Sequence, residues 1–141
     1  MITSRRYSGT LAVSLLVMAC GDRATAPPPS NAPPPSNNLV ASLASARIDA
    51  GAIVLTIVGP DVASIESASS AFQVFGGFPS AGETRVVLLG DIAPGALFTL
   101  KLRSPHTAND YSVRVQQVAT RVGALATDSS AYQVTLHALG M

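Results

Sequence analysis

Cysteine occurs once, at Cys20, and tryptophan not at all. A single thiol allows no internal disulfide, and it excludes both a cysteine zinc cluster and a CxxC redox pair. Aromatic residues make up 5% of the chain, so the ring platforms on which sugars stack are scarce. The two histidines, His106 and His137, stand apart, and Asp49, Asp61, Asp91, Asp110 and Asp128 are scattered at turn sequences without the spacing of a calcium loop. No cofactor or metal is therefore expected. An apolar run of membrane-spanning length is also missing: the one near the start covers residues 10–19, contains Ser14 and ends at Gly21-Asp22-Arg23. A spanning helix needs about 20 consecutive apolar residues.

What stands at the start has the order of an export signal. Arg5 and Arg6 supply a positive segment, residues 10–19 an apolar one, and small Ala19 closes it before Cys20. The stretch Leu15-Leu16-Val17-Met18-Ala19-Cys20 resembles the lipobox of bacterial lipoproteins, with Met18 in place of the usual small residue. That resemblance implies cleavage between Ala19 and Cys20, lipidation of Cys20, and anchoring in a bacterial membrane. Gly21 after the cysteine, with Asp22 one place later, leans toward the outer membrane or cell surface. Ser8 and Gly9 stand where a twin-arginine signal has larger apolar residues, so Arg5 and Arg6 read as ordinary signal charge. The simpler alternative is a secreted protein whose cysteine happens to sit at the cleavage site.

Removing the signal takes two of nine basic residues with it, leaving seven against eight acidic ones. A chain so balanced has no basic footprint, and nucleic acid is not an expected partner.

Residues 20–38 form a second region, a Pro-rich linker expected to be disordered. Ala26-Pro-Pro-Pro-Ser-Asn31 is repeated at once as Ala32-Pro-Pro-Pro-Ser-Asn37, and these copies hold six of the ten prolines. Consecutive prolines fix φ and remove backbone donors, favouring an extended, semi-rigid spacer. At roughly 3.1 Å per residue such a spacer holds the C-terminal domain up to about 50 Å from a bilayer.

Residues 39–141 are rich in Val, Ile, Leu, Ala and Thr and alternate with period two, the signature of strands. Phe98, Leu100 and Leu102 alternate with Thr99, Lys101 and Arg103; Tyr111, Val113 and Val115 with Ser112, Arg114 and Gln116; Tyr132, Val134 and Leu136 with Gln133, Thr135 and His137. Ile53, Leu55 and Ile57 share a face whose reverse, Val54 and Val58, is apolar too, which predicts a central strand covered on both sides. Further runs at 43–48, 62–67, 72–75 and 85–89 bring the expectation to seven or eight strands. Turns are expected at Gly59-Pro60-Asp61, Gly76-Gly77, Pro79 to Gly82, Gly90-Asp91, Pro94-Gly95 and Asn109-Asp110. The fold expected is all-β, a single β-sandwich of immunoglobulin-like or cohesin-like type. Gly51-Ala-Ile-Val-Leu-Thr-Ile-Val58 and Gly95-Ala-Leu-Phe-Thr-Leu-Lys-Leu102 resemble cohesin-type modules, which implies a sandwich that binds partner proteins; Val-Gly-Pro-Asp replaces a tyrosine-aspartate-proline often found there. The echo of Ser69-Ser-Ala-Phe-Gln-Val74 in Ser129-Ser-Ala-Tyr-Gln-Val134 reads as two similar loop-to-strand entries.

Function is less sharply marked. Non-catalytic protein binding or a structural role in the envelope is the expected work, with a carbohydrate-binding module as runner-up and a small hydrolase third. For binding, Lys101, Arg103, Arg114 and His137 lie on the wet sides of the late strands, taken together as one polar sheet face. For glycans, Phe75 and Phe78 flank Gly76-Gly77, although the simpler expectation is that both tuck inward and cap the core. For hydrolysis, His106 lies in a loop near Asp110, but no Gly-x-Ser-x-Gly elbow occurs. Cys20→Ser should abolish acyl-chain labelling. Labelling that survives the substitution would show that Cys20 is not the acceptor.

Overall fold

The computed structural model describes residues 31–139. The export signal, Ala19, Cys20 and the first proline triplet lie outside the described residues. Eight strands run in order: β1 (Ser36–Ser45), β2 (Ala50–Val58), β3 (Val62–Ser67), β4 (Phe72–Ser80), β5 (Glu83–Ile92), β6 (Gly95–His106), β7 (Ser112–Thr120) and β8 (Tyr132–Ala138). Single 3-10 turns at Ala108–Asp110 and Ser129–Ala131 lead into β7 and β8. No helix among the described residues is long and apolar enough to cross a membrane.

The strands form two antiparallel four-stranded sheets packed as a β-sandwich, the first ordered β3-β6-β1-β8 and the second β4-β5-β2-β7. Only β4 and β5 are consecutive strands of one sheet; every other connection carries the chain across to the opposite sheet.

Period-two burial builds the layer between them. Leu39, Ala41 and Leu43 of β1 and Phe98, Leu100 and Leu102 of β6 point inward from the first sheet. Ile53, Leu55 and Ile57 of β2, Val86 and Leu88 of β5, and Val118 of β7 meet them from the second. Full burial of each Leu, Ile, Val or Phe side chain contributes about 1.5–3 kcal/mol. Tyr132 is the largest of the fully buried side chains, and its hydroxyl donates to Asp49 Oδ1 at 3.0 Å, so the phenol enters the core without an orphaned donor.

Four sequence expectations differ from the structure. The first strand is β1 at Ser36–Ser45, beginning inside the expected linker, while Ile48 at the far end of the expected run is exposed. Ser36 and Asn38 resemble linker residues, but the alternating Leu39, Ala41 and Leu43 set the register. Gly76-Gly77 is not a turn: β4 continues through it to Ser80 and turns at Ala81-Gly82. A Cβ on Gly76 would lie 2.6 Å from Ile65 Cδ1 of β3, so the glycine is there for close approach of two edge strands. Gly90-Asp91 likewise stays within β5, because Ile92 beyond it pairs with Ala50 and is fully buried. Finally, β2 is central but covered on one side only. Val54 is half-buried and Val58 is 52% exposed on the outer side of the second sheet.

Leu100→Ala should lower stability by about 2–5 kcal/mol through lost burial and the cavity left behind. Leu89→Ala, on the outer side of the second sheet, should cost about 1 kcal/mol at most. Urea unfolding followed by far-UV circular dichroism measures both.

Candidate functional site

Two places on the domain gather chemistry-bearing residues. One is a clasp at the turn between β2 and β3. The Tyr111 ring packs against Gly59, where a Cβ would fall 2.1 Å from a ring carbon, and its hydroxyl donates to the Pro60 carbonyl at 2.7 Å. The next residue, Asp61, has φ of 59°, a left-handed conformation that Asp tolerates better than most side chains. Its carbonyl accepts from the Arg103 amide at 2.9 Å. Its carboxylate accepts from the Ser104 hydroxyl, 43 residues away, and lies 3.1 Å from His106 Nε2.

Around His106 the contacts continue. Ser104 Oγ is 3.2 Å from the same Nε2, while Nδ1 faces Asp110 Oδ2 at 3.7 Å. The Thr107 amide and hydroxyl both donate to Asp110, at 2.9 and 3.1 Å. The imidazole meets the Tyr111 ring edge to face at 6.1 Å. The Ser104 hydroxyl and His106 hold the Asp61 carboxyl below its ordinary range, and the Thr107 donors do the same for Asp110. Burial, aided by both carboxylates, pushes the Tyr111 phenol up to about 12.

Sequence alone left the serine partner of His106 open, and the structure supplies Ser104 from the same strand. The order of contacts differs from that of a proton relay, in which the hydroxyl passes its proton to an imidazole oriented by a carboxylate on its other nitrogen. Here the hydroxyl donates to Asp61, and the Asp61 carboxylate and Ser104 Oγ lie against the same imidazole nitrogen instead of on opposite sides of the ring. Chemically the group is a hydrogen-bonded tie that fixes the β2–β3 turn to the end of β6. Among the described residues no His, Cys, Asp and Glu group forms a metal site.

The second place is the outer side of the second sheet. Pairing sets Phe75, Val87, Val54 and Gln117 in one row across β4, β5, β2 and β7, and Arg85, Thr56 and Arg114 in another. Phe75, Leu89 and Val58 are 51%, 46% and 52% exposed. A groove of about 500 Å³ runs over Val54, Thr56, Val58, Arg85 and Arg114. Arg85 has Glu83 at 3.9 Å, whereas the Arg114 side chain has no ion pair or hydrogen bond among the described residues. Two strand spacings place the two arginine backbones about 9.5 Å apart.

The residues singled out from the sequence are thereby divided among three surfaces. Lys101 and His137 lie on the outer side of the first sheet, where Lys101 is paired with Glu66 at 2.5 Å. Arg103 and Phe78 line a cleft of about 160 Å³ beside Asp61. Arg114 and Phe75 lie on the second sheet. The single polar face expected from β6, β7 and β8 is not formed, because the connection after β6 crosses between sheets and puts β7 on the other side. The expected core caps are not formed either: Phe75 and Phe78 are both more than half exposed.

Comparison with known proteins names no relative. No family model matches the chain, no curated protein matches it, and no solved structure does. Arg85, Val87 and Leu89, which complete the arginine-rimmed face, were not singled out from sequence; their signal is the apolar reverse side of β2, whose neighbours across the sheet they are.

Acid should act on the clasp with a definite sign. A carboxylate whose folded-state pKa is depressed stabilises the protein above its ordinary value, 3.8 for Asp61, and loses that contribution as pH falls through the folded value. Asp61→Asn keeps a residue tolerant of the left-handed conformation while removing the charge. Its melting temperature should lie below wild type near neutral pH and converge on it in acid, as followed by circular dichroism from about pH 7 to about pH 2. A constant gap across that range would remove the carboxylate from the account.

Proposed function

We propose that this is an exported, lipid-anchored envelope protein whose sandwich domain binds another protein without catalysis. The observation that carries the reading is the outer side of the second sheet: an uncovered apolar row of Phe75, Val87 and Val54 beside Arg85 and an unpaired Arg114. Solvated sheet faces are ordinarily polar, and an apolar face rimmed by charge fits a protein contact. The arginines commit the partner to an acidic surface with apolar residues between its carboxylates, since bidentate pairing with carboxylate is what guanidinium does best. The cohesin resemblance and the lipobox support the same reading, and the proline spacer would lift this face away from the bilayer.

A glycan ligand is the second reading, favoured by one observation, the half-exposed Phe75 ring. A lone ring gives one stacking position rather than a platform.

Membrane-anchored full-length protein, used to capture envelope partners, should recover a saturable acidic protein. Arg85→Glu with Arg114→Glu should lose it, rising salt should weaken it, and Lys101→Glu on the opposite face should leave it unchanged. Equal capture by all three chains would end the assignment to this face, and retention on polysaccharide that Phe75→Ala abolishes would favour the glycan.

A further inference from the structure

Each open sheet ends in two strands with unpaired amides and carbonyls, and folded proteins usually blunt such edges with charge, proline, glycine, bulges or short length. The four edges here are β3, β8, β4 and β7. Three are blunted. β3 has six residues, includes Glu66 and shifts register against β6. β4 contains Gly76, Gly77 and Pro79 and shifts register before Ser80. β7 shifts register against β2, bears Arg114, and has Ala119 near its end bridged by Leu125.

β8 carries none of these devices. Its seven residues, Tyr-Gln-Val-Thr-Leu-His-Ala, include no Pro, Gly, Lys, Arg, Asp or Glu, and pair with β1 from Leu39–Ala138 to Ser45–Tyr132 without a shift. Its burial alternates strictly, with Gln133, Thr135 and His137 exposed and Val134, Leu136 and Ala138 half-buried. Beside it lies a groove of about 510 Å³ that includes Val113, Val115 and Val134.

We infer that β8 is the edge through which two copies of this chain pair, antiparallel, about a dyad at Thr135. That register sets Thr135 against Thr135, Gln133 against His137, Val134 against Leu136 and Tyr132 against Ala138. Polar faces polar on the outer side, and apolar faces apolar on the inner. A slip of one residue mixes the faces throughout, and larger shifts that keep the faces matched leave part of each strand unpaired, so the dyad at Thr135 is the register that pairs all seven residues. Charge favours the same edge: two β8 strands meet without a formal charge, whereas two β7 strands would each carry an Arg114 into the pairing. The chain outside the structure permits it as well. Antiparallel pairing separates the two β8 C-terminal ends, near which Pro33 to Pro35 lie, by about 20 Å. Residues 20–31 span up to about 35 Å in extended form, enough for both copies to reach one bilayer. The inference is independent of the acidic-partner reading, which uses another face.

A full-length chain carrying Cys20→Ser and Thr135→Cys has its only thiol at the dyad. Mild oxidation should convert it to a disulfide-linked dimer, while Ser64→Cys on β3 in the same background stays monomeric. In sedimentation, Cys20→Ser protein should rise with concentration from one chain mass of 14.4 kDa toward twice that. Thr135→Lys should abolish the rise with an unchanged circular dichroism spectrum, the side chain being exposed. Equal cross-linking at Ser64 and Thr135, a monomer at every concentration, or self-association surviving Thr135→Lys would each overturn the proposal.

Discussion

The apolar layer between the sheets is the constraint on which the rest of the structure depends, because a single cysteine allows no internal disulfide and the described residues form no metal-ligating cluster to share its work. The chain returns to this layer from alternate sides, crossing between sheets at all but one of its connections. Each crossing commits the next strand's period-two pattern to facing inward, so Leu39, Ile53, Phe98 and Val118 converge from strands distant in sequence. One consequence is cooperative: no sheet can be assembled from neighbours in the chain alone, apart from the β4–β5 hairpin. Another is that the ends of the sandwich are crowded with crossings, and those crossings need to be held.

The clasp at Asp61 meets that need at one end. A turn with a left-handed residue beside a proline has few backbone bonds of its own, and here the bonds come from elsewhere: the amide of Arg103, the hydroxyls of Ser104 and Tyr111, and the imidazole of His106. Serine, histidine and aspartate within reach of one another invite a catalytic reading. What the structure shows locally is a tie, with the Ser104 hydroxyl and the His106 imidazole converging on one carboxylate oxygen of Asp61. Exposed hydrogen bonds of this kind are individually weak, yet several meeting at one turn fix its conformation where one would not.

Period two made most strands legible in the sequence, and β6 and β8 match the alternation of Phe98, Leu100 and Leu102 and of Tyr132, Val134 and Leu136. Alternation says which residues share a face, but not which sheet the strand joins. Alternation therefore groups Arg114 with Lys101, although the structure puts the two on different sheets. Glycine carried a second ambiguity: Gly76 and Gly90 read as turn residues and instead sit inside strands, one of them because β3 passes too close for a side chain. The clasp was illegible for a plainer reason, since Asp61 and Ser104 meet only after the chain has crossed the sandwich several times.

The apolar reverse of β2 shows how a sequence signal can be read correctly and interpreted wrongly. Val54 and Val58 do face away from Ile53 and Leu55, and β2 is central, but nothing among the described residues covers that side. Burial within the domain cannot account for their apolar character, and β-propensity alone does not account for Phe75, Val87 and Leu89 lying beside them on the same side of the sheet. A strand apolar on both faces in a two-layer fold has one face in the core and leaves the other partly open to solvent. The same logic separates this face from β8, where the unpaired groups are backbone rather than side chain. On the readings proposed above, the face would select by chemistry, through arginine and apolar surface, and the edge by register, so the two would not compete.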